Sequence, residues 1–311
     1  MNILVTGGAG FIGSHIVDAL IELNYTVHIV DDMSGGFHRN VHPNATLHEV
    51  DIRSSEIETL WAEHKFEVLY HCAAQMDVRK SVADPKFDAD VNIMGLLNLL
   101  ESGRKNGLRK VIFSSTGGAI YGEPETIPQG EDHVNRPLSP YGITKLVSEK
   151  YLFFYEKTHG LEWVALRYGN VYGPRQNAHG EAGVIAIFTE RMLRNQQAFV
   201  NGPGEQTRDY VYVGDVVQAN IKALDYDKND IFNVGTSVET SVNTLFRTLQ
   251  RLTETTIEEV HQPAKAGEQE RSVIGTAKIE REMGWILTHN LDQGLTKTVE
   301  FFKEKKATEE A

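Results

Sequence analysis

One cysteine, Cys72, stands in a chain of 311 residues. A lone thiol excludes an intrachain disulfide and a thiolate cage for zinc. Basic residues are outnumbered, with 31 Lys and Arg against 43 Asp and Glu and a net charge of −12. A surface that grips nucleic acid or an anionic membrane without specificity is therefore not expected, although a local field can still hold a small anion. No apolar run approaches the ~20 residues of a membrane span. The opening MNILVTGGAG lacks the basic and apolar regions of a secretion signal. Internal repeats and low-complexity linkers are missing too. These absences leave an enzyme of the reducing cytoplasm as the expectation, in one large domain or two intimately joined ones.

What is present is a rhythm of short apolar runs and longer amphipathic stretches. Asn2–Thr6, Thr26–Val30, Thr46–Val50, Glu67–His71, Lys110–Ser115 and Leu161–Arg167 read as strands. Gly13–Leu23, Val82–Asn106 and Ser139–Lys157 read as helices, the last with Ser139 as a cap and Pro140 at the first helical position. This order predicts an α/β fold with a Rossmann-type doubly wound parallel sheet. After Asn170 the alternation loosens into NVYGPRQNAHGEAGV, with a helix expected over Ile185–Asn195. We expect a nucleotide-binding domain over residues 1–170 and a smaller mixed α/β substrate part over 171–311, with late segments such as Phe232–Gly235 free to rejoin the first sheet. Leu96, Leu97, Leu99 and Leu100 are core or subunit-contact candidates. Cys72 is expected as a small core residue. His38, His42 and His48 show no metal-ligand spacing and are expected at the surface, so no metal site is expected.

TGGAGFIGSH follows the first strand and opens the first helix. Gly8, Gly10 and Gly13 fit G-x-G-x-x-G, and Gly7 adds a fourth glycine. One glycine permits the tight turn, one lets backbone reach a pyrophosphate, and one lets the helix pack close to the sheet. The helix start supplies N–H groups and a positive dipole end. Gly7, Gly10, Phe11, Ile12 and Gly13 are thus candidate cofactor contacts. Asp31 ends the second strand, where a carboxylate accepts from ribose hydroxyls and repels a 2′-phosphate, favouring NAD over NADP. Asp32 is the alternative. Asp51 and Ile52, after the third strand, suit the adenine amino group and one ring face, though a plain strand-end turn explains them as well.

Tyr141 and Lys145 form Y-x-x-x-K at a helix start, on one face. A free tyrosine, with a pKa near 10, is too weak an acid to serve as a base at neutral pH. A neighbouring ammonium, with a positive nicotinamide ring, should favour the phenolate and make Tyr141 a usable acid/base. One strand earlier stands FSSTGGAIYG, with Ser114, Ser115 and Thr116 where the apolar run stops.

TGGAGFIGSH, HCAAQ, FSSTGGAIYG, SPYGITK and RYGNVYGPRQ together resemble the extended short-chain dehydrogenase/reductase family, within it the nucleotide-sugar epimerases, over nearly the whole chain to Gly284-Trp285. The resemblance implies tightly held NAD and reversible oxidation at C4 of a UDP-sugar, UDP-glucose and UDP-galactose first. It implies Thr116 as the hydroxyl beside Tyr141, with Ser115 as second choice. The double glycine shifts the count from Tyr121 by one. Sugar-nucleotide 4,6-dehydratases carry an Asp-Glu pair where this chain has Gly117-Gly118, so elimination is disfavoured. UDP-N-acetylglucosamine, UDP-glucuronate and an NAD-sensing binding protein stay as alternatives.

By the same resemblance Ser114, Ala73, Ala74, Gln75, Asn92 and Tyr168 lie at the cofactor. Asn170, Arg208 and Glu268 lie at the substrate. The family's P-R-x-G-D reads Pro263-Ala264-Lys265-Ala266-Gly267-Glu268 here, without its arginine, and Gly275 replaces a later Asp. Arg271 is the candidate to compensate. A homodimer through a four-helix bundle, built from Val82–Asn106 and Ser139–Lys157, is implied as well.

Overall fold

The computed structural model describes residues 1–178, 183–264 and 269–309. In chain order its first half runs β1 (Asn2–Thr6), α1 (Phe11–Glu22), β2 (Thr26–Asp31), β3 (Thr46–Glu49), α2 (Glu56–His64), β4 (Val68–His71), α3 (Val78–Ala83), α4 (Pro85–Ala89), α5 (Gly95–Lys105), β5 (Lys110–Thr116), α6 (Gly117–Ile120), α7 (Pro140–His159) and β6 (Glu162–Tyr168). The second half runs β7 (Asn170–Tyr172), α8 (Val184–Leu193), β8 (Phe199–Asn201), β9 (Thr207–Arg208), β10 (Tyr210–Tyr212), α9 (Val213–Asp225), β11 (Asp230–Val234), β12 (Thr240–Ser241), α10 (Val242–Thr253), β13 (Val260–Gln262), β14 (Arg271–Ser272), α11 (Ala277–Met283) and α12 (Leu291–Glu309).

Seven strands form one sheet in the order β11-β6-β5-β4-β1-β2-β3, every neighbouring pair parallel. This is the doubly wound arrangement, with its crossing point between β1 and β4. Strands buried on both faces need continuous apolar runs, and Ile3, Leu4 and Val5 in β1 are at most 1% exposed. One face packs on α1 and α9 through Ile16, Val17, Val216 and Ala219. The other packs on α2, α5 and α7 through Trp61, Leu99, Leu100 and Leu152. A third core, with Phe188, Phe246, Leu249, Leu295 and Val299, joins α8, α10 and α12 around short strands.

The chain crosses between these cores after residue 170. β11 pairs with β6 in the main sheet, and Ile279 and Trp285 fill the α1 face. The expected long helix over Val82–Asn106 is interrupted. Asp84 accepts from Phe87 N and caps α4 at Pro85, whose ring cannot continue the helix before it. A π-helical stretch, Asp90–Met94, then links α4 to α5. α7 begins as expected, with Ser139 Oγ accepting from Gly142 N at 3.2 Å, and ends at Gly160 with φ of 71°. Among the described residues, no helix is long and apolar enough to cross a membrane.

Candidate active site

The site forms at the carboxyl ends of the parallel strands, where loops from both sides of the crossing point meet. β1 turns at Gly7, whose φ is 70° and whose imagined Cβ would lie 2.7 Å from Ala73 N. A side chain at Gly13 would overlap the Gly7 carbonyl. Gly10 caps α1 with no side chain, so the first N–H groups of the helix, those of Phe11, Ile12 and Gly13, have no intrahelical acceptor and face the loop. Asp31, 6% exposed, accepts from Ala9 N at 2.9 Å and Met33 N at 3.0 Å. Burial raises its pKa, and these two donors pull the other way. Asp32 is instead exposed and bonded to Ser34. The bare glycine cradle beside a buried carboxylate fits a dinucleotide, with Asp31 rather than Asp32 beside the loop.

Asp51 is gripped by Arg53, whose side chain and backbone N–H both donate to it and hold its carboxyl below the usual range. Arg53 also pairs with Asp90 at 2.6 Å. Ile52 is 5% exposed and packs on Gly95. An adenine contact from Asp51 must therefore share the carboxylate with Arg53.

At the end of β4, Ala73 N donates to Thr6 Oγ1 at 3.4 Å, and Ala74 leads into Gln75. Gln75 N donates to Asn92 Oδ1 at 2.9 Å, and Asn92 Nδ2 returns a bond to the Gln75 carbonyl at 3.0 Å. Behind them lies Asp88, fully buried, which sequence reasoning missed. It accepts from Gln75 Nε2, Asn92 Nδ2 and Thr144 Oγ1. Thr144 is the residue before Lys145, so this knot ties the end of β4 to α7. Nothing local in the sequence marks Asp88, because its partners come from three separate elements.

On α7, Lys145 is 3% exposed. Its Nζ donates to the Ser114 carbonyl at 2.8 Å and lies 5.9 Å from the centre of the Tyr141 ring. Desolvation pushes its pKa down to about 8. Tyr141 goes the other way: burial, with Asp88 adding, raises its pKa above the ordinary value. The phenolate expected from the sequence rests on the positive nicotinamide ring as well as on Lys145, and burial of Tyr141 opposes it.

The three hydroxyls of β5 divide by strand alternation. Ser115 donates to Glu149 Oε1 at 2.6 Å, and Glu149 forms a fork with Arg167, each of the pair 1% exposed. Its hydroxyl is committed to that buried clamp. Ser114 Oγ lies 3.2 Å from Cys72 Sγ and 3.3 Å from the Tyr168 hydroxyl, which also meets Asn220. Burial pushes the Cys72 thiol up to about 11, leaving it a protonated core group. A Cβ imagined on Gly118 would lie 3.9 Å from Thr116 Oγ1 and 3.6 Å from Asn170 Oδ1. Thr116 and Asn170 thus flank one spot above Gly118. That spot has room for a side chain and none stands there, whereas Gly117 is packed under Ile274.

On the far side, Arg208 Nη1 donates to the Thr207 carbonyl at 2.8 Å. Arg271, on the adjoining strand, is forked onto Glu239 at 2.5 and 2.9 Å, so it is already occupied. Glu268 lies outside the described residues. Asp209, 1% exposed, accepts from Thr236, Ser237 and Ile274 and fixes the loop behind Arg208. His38 is exposed, but His48 is not the free surface residue expected: its imidazole lies 3.0 Å from that of buried His28.

A dinucleotide loop, a Tyr–Lys pair on the helix between β5 and β6, and a glycine pair after β5 define an extended short-chain dehydrogenase/reductase. The family model described as NAD dependent epimerase/dehydratase matches residues 3–235, and the chain belongs to that family. It is 42% identical to the UDP-glucose 4-epimerase of Mycolicibacterium smegmatis over 98% of this chain and 99% of that one. The crystal structure of a UDP-glucose 4-epimerase from Thermotoga maritima with UDP-glucose is 48% identical, with a TM-score of 0.97 over 98% of this chain and all of that one. The Thermus thermophilus UDP-glucose 4-epimerase in complex with NAD is 42% identical, with a TM-score of 0.93 over 97% of this chain and 99% of that one.

Proposed function

We propose that this chain is an NAD-dependent isomerase that inverts C4 of a UDP-hexose, interconverting UDP-glucose and UDP-galactose through a transient 4-keto sugar. The observation that carries the reading is the spot above Gly118, flanked by Thr116 and Asn170 and empty of any acid, beside a helix that presents Tyr141 and Lys145. Oxidation and reduction at C4 need one proton acceptor and one hydroxyl to orient the sugar. Elimination at C5 and C6 would need an acid, and among the described residues only Asn170 and Thr116 come within 4 Å of that spot. Bound NAD supplies a hydride acceptor that becomes the donor, and in its oxidised form a positive ring.

Tyr141 takes the proton of the 4-hydroxyl and later returns one to the same oxygen, once the 4-keto sugar has turned its other face for reduction. Lys145, anchored on the Ser114 carbonyl, keeps positive charge beside the phenol. Thr116 orients the 4-hydroxyl. Gly7, Gly10, Phe11, Ile12 and Gly13 receive the cofactor diphosphate, and Asp31 the adenosine ribose. Asp51 and Ile52 take the adenine side, while Ala73, Ala74, Gln75, Asn92, Ser114 and Tyr168 line the remainder. Asn170 and Arg208 meet the substrate diphosphate, the guanidinium as a fork. Most of the rate comes from positioning and differential binding.

We assign the nucleotide-binding part to residues 1–170 with β11, α9 and α11 returning to it, and sugar-nucleotide contacts to the rest. A cytoplasmic setting fits a chain whose single thiol is held protonated. A homodimer fits Met94, Phe153 and Phe154, which are 55%, 52% and 49% exposed in the single chain on neighbouring helical segments.

Replacing Tyr141 by Phe tests the assignment. Turnover should fall about 10²- to 10⁴-fold, the usual worth of a positioned acid/base, with bound NAD and UDP-glucose affinity retained in calorimetry. Unchanged turnover would remove Tyr141 from the proton path.

A further inference from the structure

A cluster of three histidines lies apart from the dinucleotide loop and plays no part in the chemistry above. His28 on β2, His48 on β3 and His64 at the end of α2 place their ligand nitrogens all within 4.8 Å of one another. We propose that His28, His48 and His64 form a binding site for a divalent transition metal of the zinc class, which ties the edge strand β3 and helix α2 to β2.

The placement follows from register. Val30 pairs with His48 across the parallel ladder, and residues two apart share a face, so His28 and His48 project from the same side of the sheet. α2 runs over that side and ends at His64, where Lys65 turns the chain with φ of 51°. Phe66, fully buried, backs the group with ring centres 5.1 Å from His28 and 5.6 Å from His64. The His28 and His48 rings are parallel within 6°, with Nδ1 and Nε2 3.0 Å apart, and the His64 ring closes the triangle at 4.5 and 5.2 Å.

Three imidazoles and no thiolate suit zinc, nickel, copper or cobalt rather than magnesium or calcium. Zinc–nitrogen bonds of about 2.0–2.1 Å put tetrahedral ligand nitrogens about 3.3 Å apart, inside the span seen here, so small ring rotations complete the set. A water can fill the fourth position. His28 lies three residues before Asp31 on β2, roughly 10 Å along the strand from the cofactor end. The ion is therefore structural.

Tag-free, chelator-treated enzyme with its bound cofactor should take up about one equivalent of Zn²⁺ in calorimetry. Co²⁺ should give the visible absorption band of a nitrogen-ligated ion. His48→Gln and His64→Gln should each weaken Zn²⁺ at least tenfold and lose the cobalt band, while His261→Gln, on an exposed strand, should not. Metal should raise Tm of the parent enzyme and not of the two variants. The proposal is overturned if the parent shows no saturable site, or if both variants keep its affinity and band.

Discussion

Ser114, Ser115 and Thr116 follow one another on β5, and alternation sends them to different tasks. Ser115 completes a buried carboxylate clamp, whereas Thr116 borders the open spot above Gly118. Thr116→Val should therefore lower kcat about 10²- to 10³-fold, as expected when one preorganised donor is lost, with the melting temperature little changed. Ser115→Ala should lower stability by about 1.5–3 kcal/mol, the worth of a hydrogen bond to a charged group, with Arg167 Nε still donating to that oxygen, and leave kcat within a few-fold. The reverse pattern would make Ser115 the working hydroxyl. The sequence alone names both, because the double glycine blurs the count from Tyr121. Burial and partner favour Thr116.

Lys145 carries the residue-scale pH prediction. Its pKa in the folded chain is about 8, against ~10.4 when unfolded. Below pH 8 the ammonium is present in both states, and burying it disfavours folding. Between pH 8 and ~10.4 only the unfolded chain keeps the proton, so the penalty fades as pH rises. In urea unfolding of cofactor-free protein, Lys145→Met should start more stable than the parent at pH 7. That advantage should shrink by about 3 kcal/mol by pH 10.4. A constant difference across this range would mean that Lys145 titrates normally.

Among the elements, α7 organises the site because it is pinned at its start and through its first half. Ser139 caps it, Thr144 meets Asp88, Lys145 reaches β5 and Glu149 forks onto Arg167 of β6. A charge pair 1% exposed is strongly destabilising once half is removed. Arg167→Met should lower unfolding free energy by about 3–5 kcal/mol, and adding Glu149→Gln should recover part of that loss in the same urea experiment. Additive losses would show that the two side chains do not depend on each other. The cap, the proline and the Y-x-x-x-K spacing of α7 are legible in sequence because each is local. The break at Asp84-Pro85 was open to the same reasoning, since proline starts helices and interrupts them, yet the apolar pattern of Val82–Asn106 ran across it. Asp88 and the histidine cluster had no such signal. Their partners are brought in by α4, α7, β3 and α2, and only tertiary packing joins them.

At the scale of the molecule, the sheet order places both halves of the site at one edge, and the alternation of strands and helices made that architecture readable from the outset. The return of β11 and of Ile279 and Trp285 to the first core was harder to read, because late strands are short and their pattern is loose. The exposed apolar residues of α7 and of the π-helical stretch before α5 form the face assigned to the proposed homodimer. Phe153→Glu combined with Phe154→Glu should convert a dimer to a monomer in sedimentation velocity. An unaltered sedimentation coefficient would place any dimer contact elsewhere.

The central claim is a reversible, self-contained redox cycle at C4. Purified protein, given UDP-glucose and no added cofactor, should produce UDP-galactose until equilibrium, seen by proton NMR as the change in the C4 proton's couplings, with no 4-keto-6-deoxy sugar. UDP-N-acetylglucosamine and UDP-glucuronate, tested in parallel, should react more slowly. Accumulation of a 4-keto-6-deoxy product, or no epimer from UDP-glucose while NAD remains bound, would contradict the account.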